Sequence, residues 1–181
     1  MVLGGIVNNW QISGGYRLES GLPYGLSFSI NGIGNRNITG SDTEGFRPVI
    51  NGDTGAGNSS DPYQQFAQGI YSQAAIGSLG LESGRNYLNR APLNNVDLSL
   101  QKSFGLGGRR ALRFRVDAFN LLNHTQFDAV ANNMVFAGLG NNTITNLPYD
   151  AAGNLVRTNG FGAVTSVRNP RNVQLLARFE F

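Results

Sequence analysis

The chain has 181 residues with no Cys, one Trp, one His and a single Lys, Lys102, against 13 Arg. That length suits one ordinary domain, and the missing cysteines exclude a disulfide framework, a thiolate metal site and a cysteine nucleophile. Charged residues are 14% of the chain, hydrophobic residues are 40% and mean hydropathy is −0.19, which fits neither a charge-driven disordered tail nor a helical membrane protein with apolar runs of ~18 residues. The net charge of +3 comes from scattered arginines rather than a dense basic block, so no nucleic-acid partner is expected. Met1 to Trp10 has neither a basic n-region nor a long apolar stretch, and no signal peptide is read there.

In chain order, the first element is a strand near 10–20, where Trp10, Ile12, Gly14, Tyr16 and Leu18 alternate with Gln11, Ser13, Gly15, Arg17 and Glu19. Period-2 alternation of this kind gives one apolar and one polar face. A second strand near 94–104 sets Val96, Leu98, Leu100 and Phe104 against Asn95, Asp97, Ser99, Gln101 and Ser103. Lys102 is the one charge on its apolar side, near enough to the strand end for its stem to snorkel toward water. A glycine-rich hairpin, Gly105 to Arg110, leads into a third strand near 111–122. There Leu112, Phe114, Val116, Ala118 and Leu122 oppose Arg113, Arg115 and Asp117, although Phe119 and Leu121 fall on the charged side. The fourth strand, near 172–181, alternates Val173, Leu175, Ala177, Phe179 and Phe181 with Gln174, Leu176, Arg178 and Glu180.

The connections alternate long, short, long, with loops at 25–90 and 127–165 rich in Asn, Gly, Ser and Thr. Loops of such length are uncommon in compact soluble domains. Alternation alone leaves open a soluble or secreted β-sandwich, such as a glycan-binding or adhesion module, with its apolar faces inward. Strand length, loop asymmetry and aromatics near strand ends (Trp10, Tyr24, Phe104, Phe181) favour an all-β, antiparallel transmembrane barrel segment, with the apolar face in lipid and two long extracellular loops. With the short hairpin periplasmic, both chain ends fall on the periplasmic side. The terminal strand, with apolar residues at every second position ending in Phe181, looks like the β-signal read by the barrel-assembly machinery.

Four segments together carry a family resemblance: WQISGGYRLESGLPYGL (Trp10 to Leu26), GRNYLNRAPLNNVDLSLQKSF (Gly84 to Phe104), LRFRVDAFNLLNHTQF (Leu112 to Phe127) and GFGAVTSVRNPRNVQLLARFEF (Gly160 to Phe181). They resemble the last four barrel strands of Oar-like TonB-dependent outer-membrane receptors, and the run from Phe119 to Phe127 is the most characteristic. The resemblance implies a 22-stranded barrel around a plug, opened by the TonB complex to import a bulky nutrient such as a siderophore-like chelate or an oligosaccharide. The chain departs from that pattern in having no plug, no TonB box and only four strands, which cannot close a barrel. It is therefore read as a single partial barrel domain over 1–181 that lacks the plug and N-terminal domains, either a fragment of such a receptor or, alternatively, a truncated product without independent activity. The implied partners are outer-membrane lipid, the rest of the barrel and plug, the barrel-assembly machinery and, only through the missing N-terminal part, the TonB complex. Its implied place is the bacterial outer membrane.

Candidate chemistry is sparse. His124 has no second His or Cys to share a metal and reads as a polar rim residue. Asp42, Glu44, Asp53 and Asp61 have no EF-hand spacing, and no phosphate-binding motif follows a strand. Sequons at Asn37, Asn58 and Asn123 are chance matches in an Asn-rich chain. No enzyme, cofactor or metal is expected. The residues of most interest are Arg17, Glu19, Asp97, Arg113, Arg115, Asp117, Arg178 and Glu180, which face inward and could contact a plug or a substrate path, or pair with one another. Phe46, Tyr63, Phe66, Tyr71 and Tyr87 in the first loop could stack on a ligand or anchor the loop to itself.

Overall fold

The computed structural model of the chain describes residues 7–33, 37–41, 47–56 and 59–181. Its strands, in chain order, begin with β1 (Trp10–Glu19), β2 (Pro23–Tyr24), β3 (Ser27–Ile30), β4 (Val49–Ile50), β5 (Tyr71–Ser72) and β6 (Leu88–Asn89). They continue with β7 (Leu93–Gly107), β8 (Arg110–Phe119), β9 (Phe127–Val130), β10 (Asn133–Gly138), β11 (Asn141–Ile144), β12 (Val164–Val167) and β13 (Asn172–Glu180). The contacts separate two compact units: 1–19, 93–126 and 168–181 form unit 1, and 20–92 with 127–167 form unit 2.

Unit 1 is an antiparallel sheet in the order β1-β7-β8-β13. Its register sorts the side chains. Trp10 faces Lys102, Ile12 faces Leu100 and Tyr16 faces Val96 across the first pair. Leu100 then faces Val116, and Phe104 faces Leu112. Val116 in turn faces Leu175, and Leu112 faces Phe179. All four apolar rows therefore lie on one face, and a slip of one residue anywhere would have moved a whole row to the other. Most of those apolar side chains are solvent-exposed in the isolated chain, with Ile12 70% and Leu175 79% exposed, while Val96, Leu100 and Leu112 are half-buried. Gly14 lies where β1 and β7 approach closely, since a Cβ there would meet the Asp97 carbonyl at 2.7 Å.

Two strand ends and the setting of Lys102 differ from the sequence reading. The second strand extends to Gly107, and the reversal is made by Gly107 (φ 90) and Gly108 (φ 63) beside a bulge, conformations that glycine adopts without penalty. The third strand stops at Phe119 rather than 122, because Asn120 enters the left-handed region (φ 50). That removes the anomaly of Leu121, which lies beyond the strand. Lys102 does not reach water: it is 5% exposed, its ammonium lies 5.0 Å from the Trp10 ring centroid and 5.2 Å from that of Phe104, and Nζ donates to the Asn8 carbonyl. Cation–π attraction and a backbone acceptor replace the hydration that snorkelling would supply.

The segments read as long loops are folded. Unit 2 contains the three-stranded sheet β11-β10-β3, with β3 and β10 parallel, and the pairs β9–β12, β2–β6 and β4–β5. Leu26, Phe28, Ile30, Phe66, Tyr71, Leu88, Met134, Phe136 and Phe161 close a core around them. The rings of Phe66 and Phe161 meet at 4.8 Å, and those of Phe28 and Phe136 at 5.4 Å, edge-on geometries that add to burial. Phe66 and Tyr71 are buried and Tyr87 packs against the same core, so these rings anchor the unit; Phe46 lies outside the described residues. Tyr24 is no part of an interfacial girdle. It packs against this core, 6.4 Å from Phe66, and burial pushes its hydroxyl up to about 12. Burial likewise raises the Tyr71 hydroxyl above its ordinary value.

Candidate functional site

The register of unit 1 that aligns the apolar rows also places Arg17, Glu19, Asp97, Arg113, Arg115, Asp117, Arg178 and Glu180 on the opposite face. They do not converge on one point. Toward the hairpin, Arg113 and Arg178 stand directly opposite each other on β8 and β13, and Glu180 reaches both at 3.0 and 3.5 Å. Like charges in a direct cross-strand pair repel, and this shared carboxylate offsets that repulsion. Arg115 pairs with Asp117 at 2.8 Å, and Arg17 with Glu19 at 2.5 Å. Such exposed pairs are worth ~0–1 kcal/mol each, so the face is a hydrated wall of mixed sign.

At the end away from the hairpin, the wall deepens into a concave site of about 570 Å³ whose lining includes Arg17, Asn95, Asp97, Asn120, Arg168 and Gln174. Asn120 organises it. Its amide donates to Asp97 Oδ1 (2.8 Å), its Nδ2 to the carbonyls of His124 (3.1 Å) and Asn169 (3.4 Å), and its Oδ1 accepts from the His124 amide (3.1 Å). Gln126 extends the network. Its Nε2 bonds the Asn94 carbonyl and lies 2.8 Å from His124 Nδ1, while its Oε1 accepts from the Asn94 amide (3.1 Å). Asn123 Oδ1 accepts from the Arg171 amide (3.1 Å), tying in the approach to β13. His124 therefore belongs to a structural cap on β8. The sequence reading missed Asn120, Asn123 and Gln126 as its organisers, although the signal was the distinctive run from Phe119 to Phe127.

Val173, Leu175, Ala177, Phe179 and Phe181 lie together on the apolar face of the last strand and its end, with Phe181 95% exposed. Their strand is an edge of the sheet, as is β1.

The loop carboxylates serve their own turns. Asp53 Oδ1 accepts from the Gly55 amide, and Asp61 accepts from the Tyr63 amide and the Tyr149 hydroxyl (2.8 Å each); Asp42 and Glu44 lie outside the described residues. Among the described residues no group of three or more His, Cys, Asp or Glu side chains comes together. Asp150 accepts from the amides of Ala152 and Asn154 at 2.9 Å each, and the backbone bond from Asn154, followed by that residue's side chain, holds the carboxyl below its ordinary value. With the folded value lowered, ionised Asp150 stabilises the turn at pH above the ordinary carboxylate value of about 4, and this contribution is lost as pH falls through the folded value. Hydrogen exchange should therefore show the Ala152 and Asn154 amides losing protection below about pH 4. Protection unchanged under acid would contradict the turn described.

A sheet whose apolar face has exposed side chains on every strand and whose charges, Lys102 and the hairpin-end Arg110 apart, share the other face defines a membrane β-barrel wall, in which the first face meets lipid. The family model of an outer membrane beta barrel domain matches residues 1–174. The chain belongs to that family, which places it in the bacterial outer membrane. No curated relative and no solved structure matches it significantly.

Proposed function

We propose that the chain is part of an Oar-like TonB-dependent outer-membrane receptor, non-enzymatic, that imports a bulky nutrient such as a siderophore-like chelate or an oligosaccharide. The observation that carries the reading is the register of the four strands, which gives a continuous apolar face and a charged face, bounded by two edge strands. Unpaired backbone groups at β1 and β13 would be unsatisfied in lipid. The reading therefore assigns the rest of a larger barrel to those edges, a plug to the charged face, outer-membrane lipid to the apolar face and the barrel-assembly machinery to the terminal strand. In this scheme the TonB complex acts through a part of the receptor outside these four strands. A soluble adhesion module is not favoured, because a sandwich needs its apolar face covered by a second sheet, and Ile12, Tyr16, Leu98 and Leu175 are exposed.

The test is energised uptake by cells that carry the receptor, with radiolabelled ferric citrate and cellohexaose as probes. Uptake of at least one probe should stop when the proton-motive force is dissipated. Entry at the same rate in de-energised cells, or entry of neither probe, would count against the reading.

A further inference from the structure

Unit 2 carries an open groove of about 760 Å³, a size typical of small-ligand sites. Its walls come from both excursions of the chain: Gln64 and Gln68 from the first, and Thr143, Thr145, Tyr149 and Arg157 from the second. Asp61 and Asp150 also line it, but their oxygens are engaged. Asp61 holds the Tyr63 amide and the Tyr149 hydroxyl, and Asp150 holds Ala152 and Asn154. These carboxylates brace the groove, and beside them its polar chemistry is the Gln64 and Gln68 carboxamides, the Thr143 hydroxyl, the Thr145 hydroxyl, which already donates to the Val135 carbonyl (3.0 Å), and a single guanidinium. The Gln64 carboxamide makes no hydrogen bond among the described residues, and Gln68 uses only its Nε2, on the Phe161 carbonyl at 3.4 Å. Ile144, Leu147 and Val156 supply apolar surface between these groups.

Carboxamides and hydroxyls offer donors and acceptors side by side, which suits a ligand whose own hydroxyls do both and whose C–H faces need apolar contact. A ferric chelate of high charge would need several compensating charges to leave water, and the groove offers one cation. A second depression, of about 320 Å³, shares Asp61 and Gln64 with the first and adds Thr54, Ser59 and Asp53, whose Oδ1 accepts from the Gly55 amide. The same chemistry thus continues across the Asp61–Gln64 ridge, which fits an extended chain better than a compact molecule.

We infer that this double groove binds a neutral oligosaccharide, an inference that rests on the import reading and names the substrate class. The test is calorimetric titration of the full chain in detergent with cellohexaose, xylohexaose, mannohexaose and maltohexaose, with ferric citrate and an acidic hexapeptide as comparisons. At least one hexasaccharide should bind, and more tightly than its disaccharide. Gln64→Ala and Thr143→Val should each weaken binding about tenfold, the size expected for loss of a ligand hydrogen bond, while the thermal midpoint stays unchanged. Binding of no hexasaccharide, binding of the peptide or ferric citrate alone, or wild-type affinity in both variants would overturn the inference. Binding without energised uptake would sink the import reading and leave the site intact; energised uptake without oligosaccharide binding would do the reverse.

Discussion

Replacing Leu100 with Arg is expected to destabilise the folded barrel in lipid by about 2–4 kcal/mol, the penalty of a cation near the middle of a lipid-facing strand. Leu100 lies near the middle of β7, directly opposite Ile12 on one side and Val116 on the other, so an arginine there has no polar neighbour in its row. The matched control is Ser99→Arg, one residue away on the opposite face, where Ser13 and Asp117 are the cross-strand partners. There the new cation stands in a hydrated wall beside a carboxylate, and the change should stay within about 1 kcal/mol. Urea unfolding in lipid vesicles, with outer-membrane yield as a second readout, measures both. Equal effects at the two positions would show that the faces are misassigned.

Asn120→Ala is the second substitution with a large expected effect, about 2–5 kcal/mol. One part is conformational: Asn120 has φ 50, and alanine in the left-handed region loses about 1–2 kcal/mol relative to its ordinary backbone. The other is the loss of a 7% exposed carboxamide that serves His124 and Asn169, which strands buried partners at roughly 1–3 kcal/mol. Asn120→Gly separates the two, since it keeps the backbone freedom and removes only the carboxamide. Glycine should recover about 1 kcal/mol over alanine. If glycine and alanine are equally damaging, the left-handed cap is not what ends β8.

The sheet was legible in the sequence because its strands are long enough for period-2 alternation to show, and because every charge but Lys102 and Arg110, the latter at the hairpin end of β8, falls on the polar parity. The boundary at Asn120 was not legible, since Leu122 continues the apolar parity while the backbone has already turned out of the strand. Unit 2 was invisible for a different reason. Strands such as β2, β4, β5 and β6 have two residues each, too few for any periodicity, and the parallel pairing of Ser27–Ile30 with Asn133–Phe136 joins residues more than a hundred positions apart. The charged wall could be named from sequence, but the sharing of Glu180 between Arg113 and Arg178 follows from register alone. The groove of unit 2 was missed because Gln64 and Thr143 meet only after both excursions have folded together.

The central claim, that one face of this sheet meets lipid and the other water, is open to direct measurement because the chain has no cysteine of its own. Single cysteines placed from residue 95 to 101 along β7 can be probed in native outer membranes with a water-soluble maleimide. Asn95→Cys, Asp97→Cys, Ser99→Cys and Gln101→Cys should label, while Val96→Cys, Leu98→Cys and Leu100→Cys stay protected until the membrane is dissolved. Uniform labelling, or the opposite alternation, would contradict the account.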